Sequence, residues 1–183
     1  MQRAAPRRPT PGEVAAATGR RVADLAAPRL RVLFCGINPS LYSAAMGCHF
    51  ARPGNRFWPT LHAARLTPRQ LAPWESEELL ALGLGITNLV ARATARAEEL
   101  SPEEIRAGVA PLRRKAIRLA PRVIAVLGIG AYRTAFDRPR AQLGAQPESL
   151  GPSRLWVLPN PSGLNAHYQL AALAERFAEL AAA

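Results

Sequence analysis

Cysteine and histidine are scarce in this chain: two cysteines, Cys35 and Cys48, and three histidines, His49, His62 and His167. A structural zinc site or an iron–sulfur cluster takes about four such ligands, and these residues are too scattered to supply them. No metal and no cofactor are therefore expected. Cys35 ends an apolar run and reads as a buried thiol, and a Cys35–Cys48 disulfide is not expected in a cytosolic chain. Lysine is nearly absent, Lys115 being the only one. No apolar stretch approaches the ~20 residues that span a bilayer, and no apolar segment follows the basic N-terminus as it would in a signal peptide. No membrane association is expected. The expected location is the cytoplasm, at the nucleoid in a bacterium, or the nucleus in a eukaryote. There is no Walker motif and no Gly-x-Ser-x-Gly. Gly128-x-Gly130 has Arg133 where a dinucleotide fingerprint needs its third glycine.

What is abundant is arginine. Against 13 acidic residues stand 24 basic ones, a formal charge of +11 on 183 residues. A field of that sign attracts phosphate backbones and speeds encounter with them, and the guanidinium fork clamps phosphate with paired hydrogen bonds. A bias toward Ala, Arg, Gly and Pro is the bland source of the same charge, but nucleic-acid binding is the favoured reading. With 49% apolar residues, the chain is long enough for one domain with a sizeable core.

Residues 1–28 read as a basic, partly flexible N-terminal extension, and 29–183 as a single domain. The first ten residues carry three Arg and two Pro without periodicity, a solvated tail. Thr10-Pro11 opens a short helix carrying Val14, Ala17, Val22 and Leu25, which Pro28 stops. Leu30 to Gly36 is the first strand. A long loop runs from Asn38 to Gly54, too irregular for a helix throughout, and loops of that length in compact domains are usually functional. A helix capped by Asn55 follows to about Ala64. Pro68 to Leu82 holds one or two short helices with Glu75, Glu77 and Glu78 facing water. Gly83 to Asn88 is a strand and turn, and Val90 to Ala97 a loop with Arg92 and Arg96. Ser101-Pro102-Glu103-Glu104 is a capping box with proline at the first helical position. Its helix is expected to run to about Leu119, with Ile105, Val109, Leu112 and Leu119 inward and Arg113, Arg114 and Lys115 outward. Val123 to Leu127 is the clearest strand, Ala131 to Phe136 a helix, 137–152 a loop, Leu155 to Leu158 a strand, and Ala166 to Leu180 the last helix. This alternation predicts a three-layer α/β/α fold with a mostly parallel central sheet of four to five strands.

Two strand ends break abruptly into small and polar turn residues: Phe34-Cys35-Gly36-Ile37-Asn38-Pro39-Ser40 and Leu158-Pro159-Asn160-Pro161-Ser162-Gly163-Leu164. Open α/β sheets bind ligands outside the carboxyl ends of their strands, so the two turns read as walls of one pocket. The residues alone leave their roles open. Asn38 suits a site amide or a turn residue that caps its own loop. Phe50 suits a stacking platform or ordinary core. Leu164, apolar in a polar turn, suits a wedge or a contact that caps the last helix.

Taken together, Gly36-Ile37-Asn38-Pro39-Ser40, Phe50-Ala51-Arg52-Pro53-Gly54-Asn55-Arg56-Phe57-Trp58, Gly85-Ile86-Thr87-Asn88-Leu89-Val90 and Leu158 to Leu164 resemble the mismatch-specific uracil/thymine-DNA glycosylases, a branch of the uracil-DNA glycosylase superfamily. The resemblance covers about residues 30–180. It implies a DNA-repair enzyme that flips uracil, and perhaps thymine or etheno-cytosine, out of duplex DNA with G·U or G·T mismatches. The enzyme then hydrolyses the N-glycosidic bond as a monomer without cofactor. Flipping costs a few kcal/mol, least at a mismatch. By resemblance, Asn38 holds the attacking water, and Gly36, Ile37, Phe50, Asn88 and Asn160 form the base pocket, with Phe50 stacking on the base. Backbone amides near Ile37 and Phe50 meet its oxygens. Leu164 wedges into the stack while Gly163 to Asn165 read the widowed guanine. Ser43 and Ser162 are candidates for phosphate.

Two departures from the family pattern stand out. Faster relatives carry a His where this chain has Asn160, which implies slower chemistry. Related sequences often place an acid just after the Thr87-Asn88-Leu89-Val90 motif, where this chain has Ala91 and Ala93 around Arg92; the next carboxylate is Glu98. That gap keeps a second reading open, a module that binds mismatches or abasic sites without turnover.

Overall fold

Apolar runs form the centre of a five-stranded sheet. Its strands are β1 (Val32–Gly36), β2 (Leu84–Asn88), β3 (Val123–Leu127), β4 (Gly144–Leu150) and β5 (Ser153–Leu158), in the spatial order β2-β1-β3-β5-β4. All pairings are parallel except that of the edge strand β4 with β5. The computed structural model describes residues 4–182. Its α-helices are α1 (Pro11–Ala15), α2 (Leu41–Met46), α3 (Phe57–Ala63), α4 (Glu78–Ala81), α5 (Pro102–Ala107), α6 (Val109–Leu119), α7 (Ile129–Phe136) and α8 (Leu170–Ala178).

Side-chain alternation along the strands builds two cores. Val32 and Phe34 of β1 and Val123, Ala125 and Leu127 of β3 face α3 and α8, where Phe57, Trp58, Leu61, Leu173 and Phe177 bury against them. Leu33, Cys35, Ile124 and Val126 turn the other way, onto Leu112 and Ala116 of α6 and Tyr132 and Ala135 of α7. With both faces covered, the two central strands β1 and β3 are apolar throughout, as parallel sheets favour. The result is the expected three-layer α/β/α architecture. Cys35 lies fully inside, and burial pushes its thiol up to about 12, which removes it from any nucleophilic role.

Several boundaries differ from the sequence reading. Met1 to Arg3 lie outside the described residues, and residues 4–10 run without regular structure into α1. α1 ends at Ala15, and Ala17 and Val22 bury beyond it with Ala44 and Ala93. Leu25 then exchanges two backbone hydrogen bonds with Ile86, which covers the edge of β2. Asp24 bonds both Lys115 Nζ (2.6 Å) and Thr87 Oγ1 (2.7 Å), so Lys115, expected to face water, pins this arm to the sheet.

The stretch after Asn38 is not all loop, because Ser40 caps α2 and Gly47, in the left-handed conformation, ends it. Asn55 does accept the Phe57 amide at 2.9 Å, although the boundary residue of α3 is Arg56. Glu75 does not face water. It is buried, and the Arg69 guanidinium beside it holds its carboxyl below the usual range.

The expected helix from Pro102 to Leu119 is two helices meeting at Gly108. Pro111 has no N–H for the carbonyl four residues back, and a Cβ at Gly108 would lie 2.4 Å from the Leu89 carbonyl oxygen. Residues 144–150, expected as loop, form β4, whose alternating exposure and Pro147 are tolerated because it is an edge strand. The last helix starts at Leu170 rather than Ala166, because the segment before it is held as a loop, described next.

Candidate active site

β1 lies between β2 and β3, so the chain leaves it in opposite directions along the sheet, and the switch point opens at the carboxyl ends of these strands. There the structure has an open cavity of about 680 Å³. The turns carrying Asn38 and Leu164 both line it, together with Gly36, Ile37, Phe50, Asn88, Asn160, Ser162 and Asn165.

Its floor is tightly fitted. A Cβ on Gly36 would lie 2.6 Å from Asn88 Oδ1 and 3.3 Å from the Phe50 ring, so only glycine lets the three meet. Leu89 and Val90 donate backbone hydrogen bonds to the Gly36 and Ile37 carbonyls at 2.8 and 2.9 Å, tying the end of β1 to the end of β2. Phe50 holds a positive φ of 53° and stacks on Phe57, ring centroids 4.1 Å apart. One face of its ring is thus fixed on α3 while the ring lines the cavity.

Asn38 is immobilised by its amide nitrogen. Nδ2 donates to the Arg92 carbonyl at 3.0 Å and to Thr94 Oγ1 at 2.7 Å, and Thr94 Oγ1 donates onward to the Arg96 carbonyl at 2.7 Å. A main-chain carbonyl only accepts, which fixes the orientation of the amide. Both hydrogens are engaged, and Oδ1 has no partner among the described residues. The loop that supplies these acceptors is anchored by Arg92, whose guanidinium grips Glu104 at 2.6 and 2.8 Å. Arg92 and Glu98–Glu104 thus bear on the site through Asn38, a link the sequence did not reveal.

His49, set aside in the sequence as one of three scattered histidines, lies beside Asn88. Its Nε2–H donates to the Ala23 carbonyl at 2.8 Å, which leaves Nδ1 to accept from Asn88 Nδ2 at 3.4 Å. Burial lowers its pKa, so the ring is neutral. Ser43, expected at a phosphate, is buried instead. Its hydroxyl accepts from the Ala51 amide at 3.0 Å and from Ser40 Oγ at 3.0 Å, bracing the turn that presents Phe50.

The opposite lip is self-bonded. Asn160 Oδ1 accepts from the Ser162 amide at 2.9 Å, and its carbonyl accepts from Asn165 Nδ2 at 2.9 Å. The Ser162 hydroxyl accepts from the Leu164 amide at 3.3 Å. Leu164 stands at the tip, 74% exposed, among the few large apolar side chains in the described residues that face water. Beneath it a Cβ on Gly163 would lie 2.5 Å from the Gly54 carbonyl oxygen, so the two lips touch backbone to backbone.

Charge is distributed unevenly around the cavity. Arg52 and Arg96 line it, and Glu98 is its one carboxylate among the described residues. Ala91 is exposed and outside the lining, while Ala93 is fully buried. Lys115 does not line the cavity, and among the described residues no three His, Cys, Asp or Glu side chains converge on a point that suits a metal ion.

The architecture has a solved counterpart. A candidate uracil DNA glycosylase from Methanosarcina acetivorans, determined in solution by NMR, superimposes with a TM-score of 0.58 over 89% of this chain and 98% of that one, at 19% identity. That likeness establishes the fold. The family model for the uracil DNA glycosylase superfamily matches residues 23–181, a span that takes in every residue of the cavity. With nearly the whole domain matched, the chain belongs to the uracil DNA glycosylase superfamily, DNA-repair enzymes that act on DNA.

Proposed function

We propose that this protein is a monofunctional, mismatch-directed glycosylase: it releases uracil from mismatched duplex DNA, with thymine and etheno-cytosine as further candidate substrates, leaving an abasic site in an intact strand. The observation that carries the reading is the state of Asn38. Its two amide hydrogens are held by protein acceptors while its oxygen has no partner among the described residues, and it lines the same cavity as Phe50 and the exposed Leu164. A neutral amide cannot act as a base, but a fixed oxygen can accept from water and hold it under C1′ as positive charge develops on the sugar. The water oxygen bonds C1′ and gives up a proton to solvent, the C1′–N1 bond breaks, and the base leaves with the electron pair as an anion that solvent protonates. Phe50 stacks on that base, a contact of ~1–3 kcal/mol. Backbone amides near Ile37 and Phe50 serve the oxygens on which negative charge grows. Leu164 fills the gap in the stack, Gly163 to Asn165 address the unpaired guanine, and Ser162 meets a phosphate.

The engagement of Lys115 by Asp24 and Thr87 supports simple hydrolysis, because a lyase needs a free amine to form a Schiff base. The test is a 5′-labelled G·U duplex incubated with excess protein, then resolved on a denaturing gel with and without hot alkali. Cleavage after alkali alone is expected; an intact strand after alkali overturns the reading.

A second reading, a damage-binding module without turnover, draws on the near absence of carboxylate around the cavity. Retention of abasic duplex with no base release over hours in the same gel would establish it.

A further inference from the structure

Among the described residues Arg56 has no carboxylate partner, yet its guanidinium makes four hydrogen bonds, as many as Arg69 makes, mostly to glutamates. Nη1 donates to the Tyr168 carbonyl at 2.6 Å and to Gln169 Oε1 at 3.2 Å. Nη2 donates to the carbonyls of Ser162 and Asn165 at 2.6 and 2.7 Å. Its own backbone amide donates to the Pro161 carbonyl at 2.9 Å. Its Nε is buried without a partner. A buried orphan donor and an unpaired charge are both costly, and a surface ion pair would serve mere solubility at less cost.

The positions of those acceptors explain the arrangement. They lie before, within and after the turn that carries Leu164, so the planar group gathers residues 162–169 and the backbone amide of the same residue adds Pro161. The same residue starts α3, and its neighbour Phe57 supports the Phe50 ring. Arg56 therefore links the stacking platform to the opposite lip, alongside the Gly54–Gly163 backbone contact. Lysine has no fork and cannot reach carbonyls spread this widely.

We infer that Arg56 is a positioning residue for strand opening: it holds the Leu164 turn at a fixed distance from the base pocket, so that insertion of the wedge and capture of the flipped nucleotide occur together. This rests on the glycosylase reading of the site. Its consequence is a coupling between Arg56 and Leu164 that a purely structural arginine would not show.

The experiment uses a duplex carrying 2′-fluoro-2′-deoxyuridine opposite guanine, a uracil nucleotide resistant to hydrolysis, with 2-aminopurine as its neighbour to report unstacking. Wild type, Arg56→Ala, Arg56→Lys, Leu164→Ala and Arg56→Lys/Leu164→Ala are compared at saturating protein, with single-turnover rates on the cleavable G·U duplex alongside. The Arg56 single variants are expected to lower the fluorescence rise, and to slow release about tenfold or more, as loss of hydrogen bonds to a charged group implies. Lysine is expected not to rescue, and the double variant to lose no more than the worse single one. Full fluorescence in Arg56→Lys, or losses that add independently in the double variant, would overturn the inference. Failure of the glycosylase reading is separable: wild type would then release no uracil from the cleavable duplex, while the fluorescence comparison would still report on Arg56.

Discussion

Asn38 offers the sharpest test, because the structure separates the two jobs of its amide. The nitrogen holds the residue in place through Arg92 and Thr94; the oxygen is the group that meets water in the proposed reaction. In Asn38→Ala both are lost. The Arg92 carbonyl loses its partner, while Thr94 keeps its bond to the Arg96 carbonyl, so the stability cost is that of one part-buried acceptor, about 1–3 kcal/mol. The rate cost is larger: releasing a reacting water from its fixed place lowers turnover on the order of 100-fold or more. DNA affinity is expected to stay within a few fold, because Asn38 carries no charge and the basic rim at Arg52 and Arg96 is untouched. Thr94→Val is the graded companion. It removes one of two anchors, leaves the oxygen in place, and is expected to slow release about tenfold, the cost of a loosened rather than a missing group. Single-turnover rates at saturating enzyme on a G·U duplex, with urea unfolding as the stability control, read both. An Asn38→Ala enzyme that keeps a tenth or more of the wild-type rate refutes the role given to the amide, and Thr94→Val slower than Asn38→Ala refutes the anchoring.

Leu164→Ala removes an exposed side chain with no packing role, so unfolding is expected to be unchanged while release from a G·U duplex drops far more than release from single-stranded uracil DNA; equal losses on the two would sink the wedge assignment. Restoring an acid separates two alanines. Ala91→Asp lies on the surface outside the cavity and is expected to fold normally and leave the single-turnover rate near that of wild type, whereas Ala93→Asp places a carboxylate among Ala17, Val22 and Ala44 and is expected to lose several kcal/mol of stability, both read by urea unfolding beside the rate assay. Burial holds the folded pKa of His49 below the ordinary histidine value, so the unfolded state binds the extra proton. Its contribution to stability is complete above about pH 6.5 and declines as pH falls through the folded value; His49→Gln is expected to flatten that decline in urea titrations at about pH 7.5 and about pH 5.

The parts of the fold readable from sequence were those set by local pattern. Val123 to Leu127 and Val32 to Gly36 announce themselves because strands covered on both faces are apolar at nearly every position. The capping box at Ser101 and Glu104 formed as expected, both of its hydrogen bonds being present. β4 was missed because Gln146, Pro147 and Glu148 lack strand character, and an edge strand paired on one side does not need it. α2 is hard to read from the sequence although Ser40 and Gly47 mark its two ends, because six residues are too few to show a helical period beside the glycines and proline that follow. Within the site, the turns bearing Asn38 and Leu164 were legible as strand ends. Arg56 was not, since its acceptors lie more than 100 residues away and nothing local distinguishes it from the other arginines. His49 was passed over on spacing, a criterion that detects metal ligands but not a neutral ring held in a wall.

A common principle runs through these placements. Apart from Glu98, Arg52 and Arg96 at its margin, the cavity is lined by groups that carry no charge near neutral pH: the amides of Asn38, Asn88, Asn160 and Asn165, the neutral imidazole of His49, and an aromatic ring. Each amide is oriented by a main-chain or side-chain partner rather than by solvent. On the proposed reading, such a site works through fixed dipoles, which need no reorganisation as charge separates between sugar and base, and not through proton transfer by a titrating side chain. Its rate should therefore stay level wherever His49 remains neutral and the loop holding Asn38 keeps its Arg92–Glu104 anchor. That anchor persists well into acid, since Arg92 pulls the Glu104 carboxyl down to about 2. Base release measured under single turnover from about pH 6.5 to about pH 9 is expected to vary little, whereas a bell-shaped profile would show that an acid–base pair carries the reaction, and would transfer the catalytic role from Asn38 to a group that titrates.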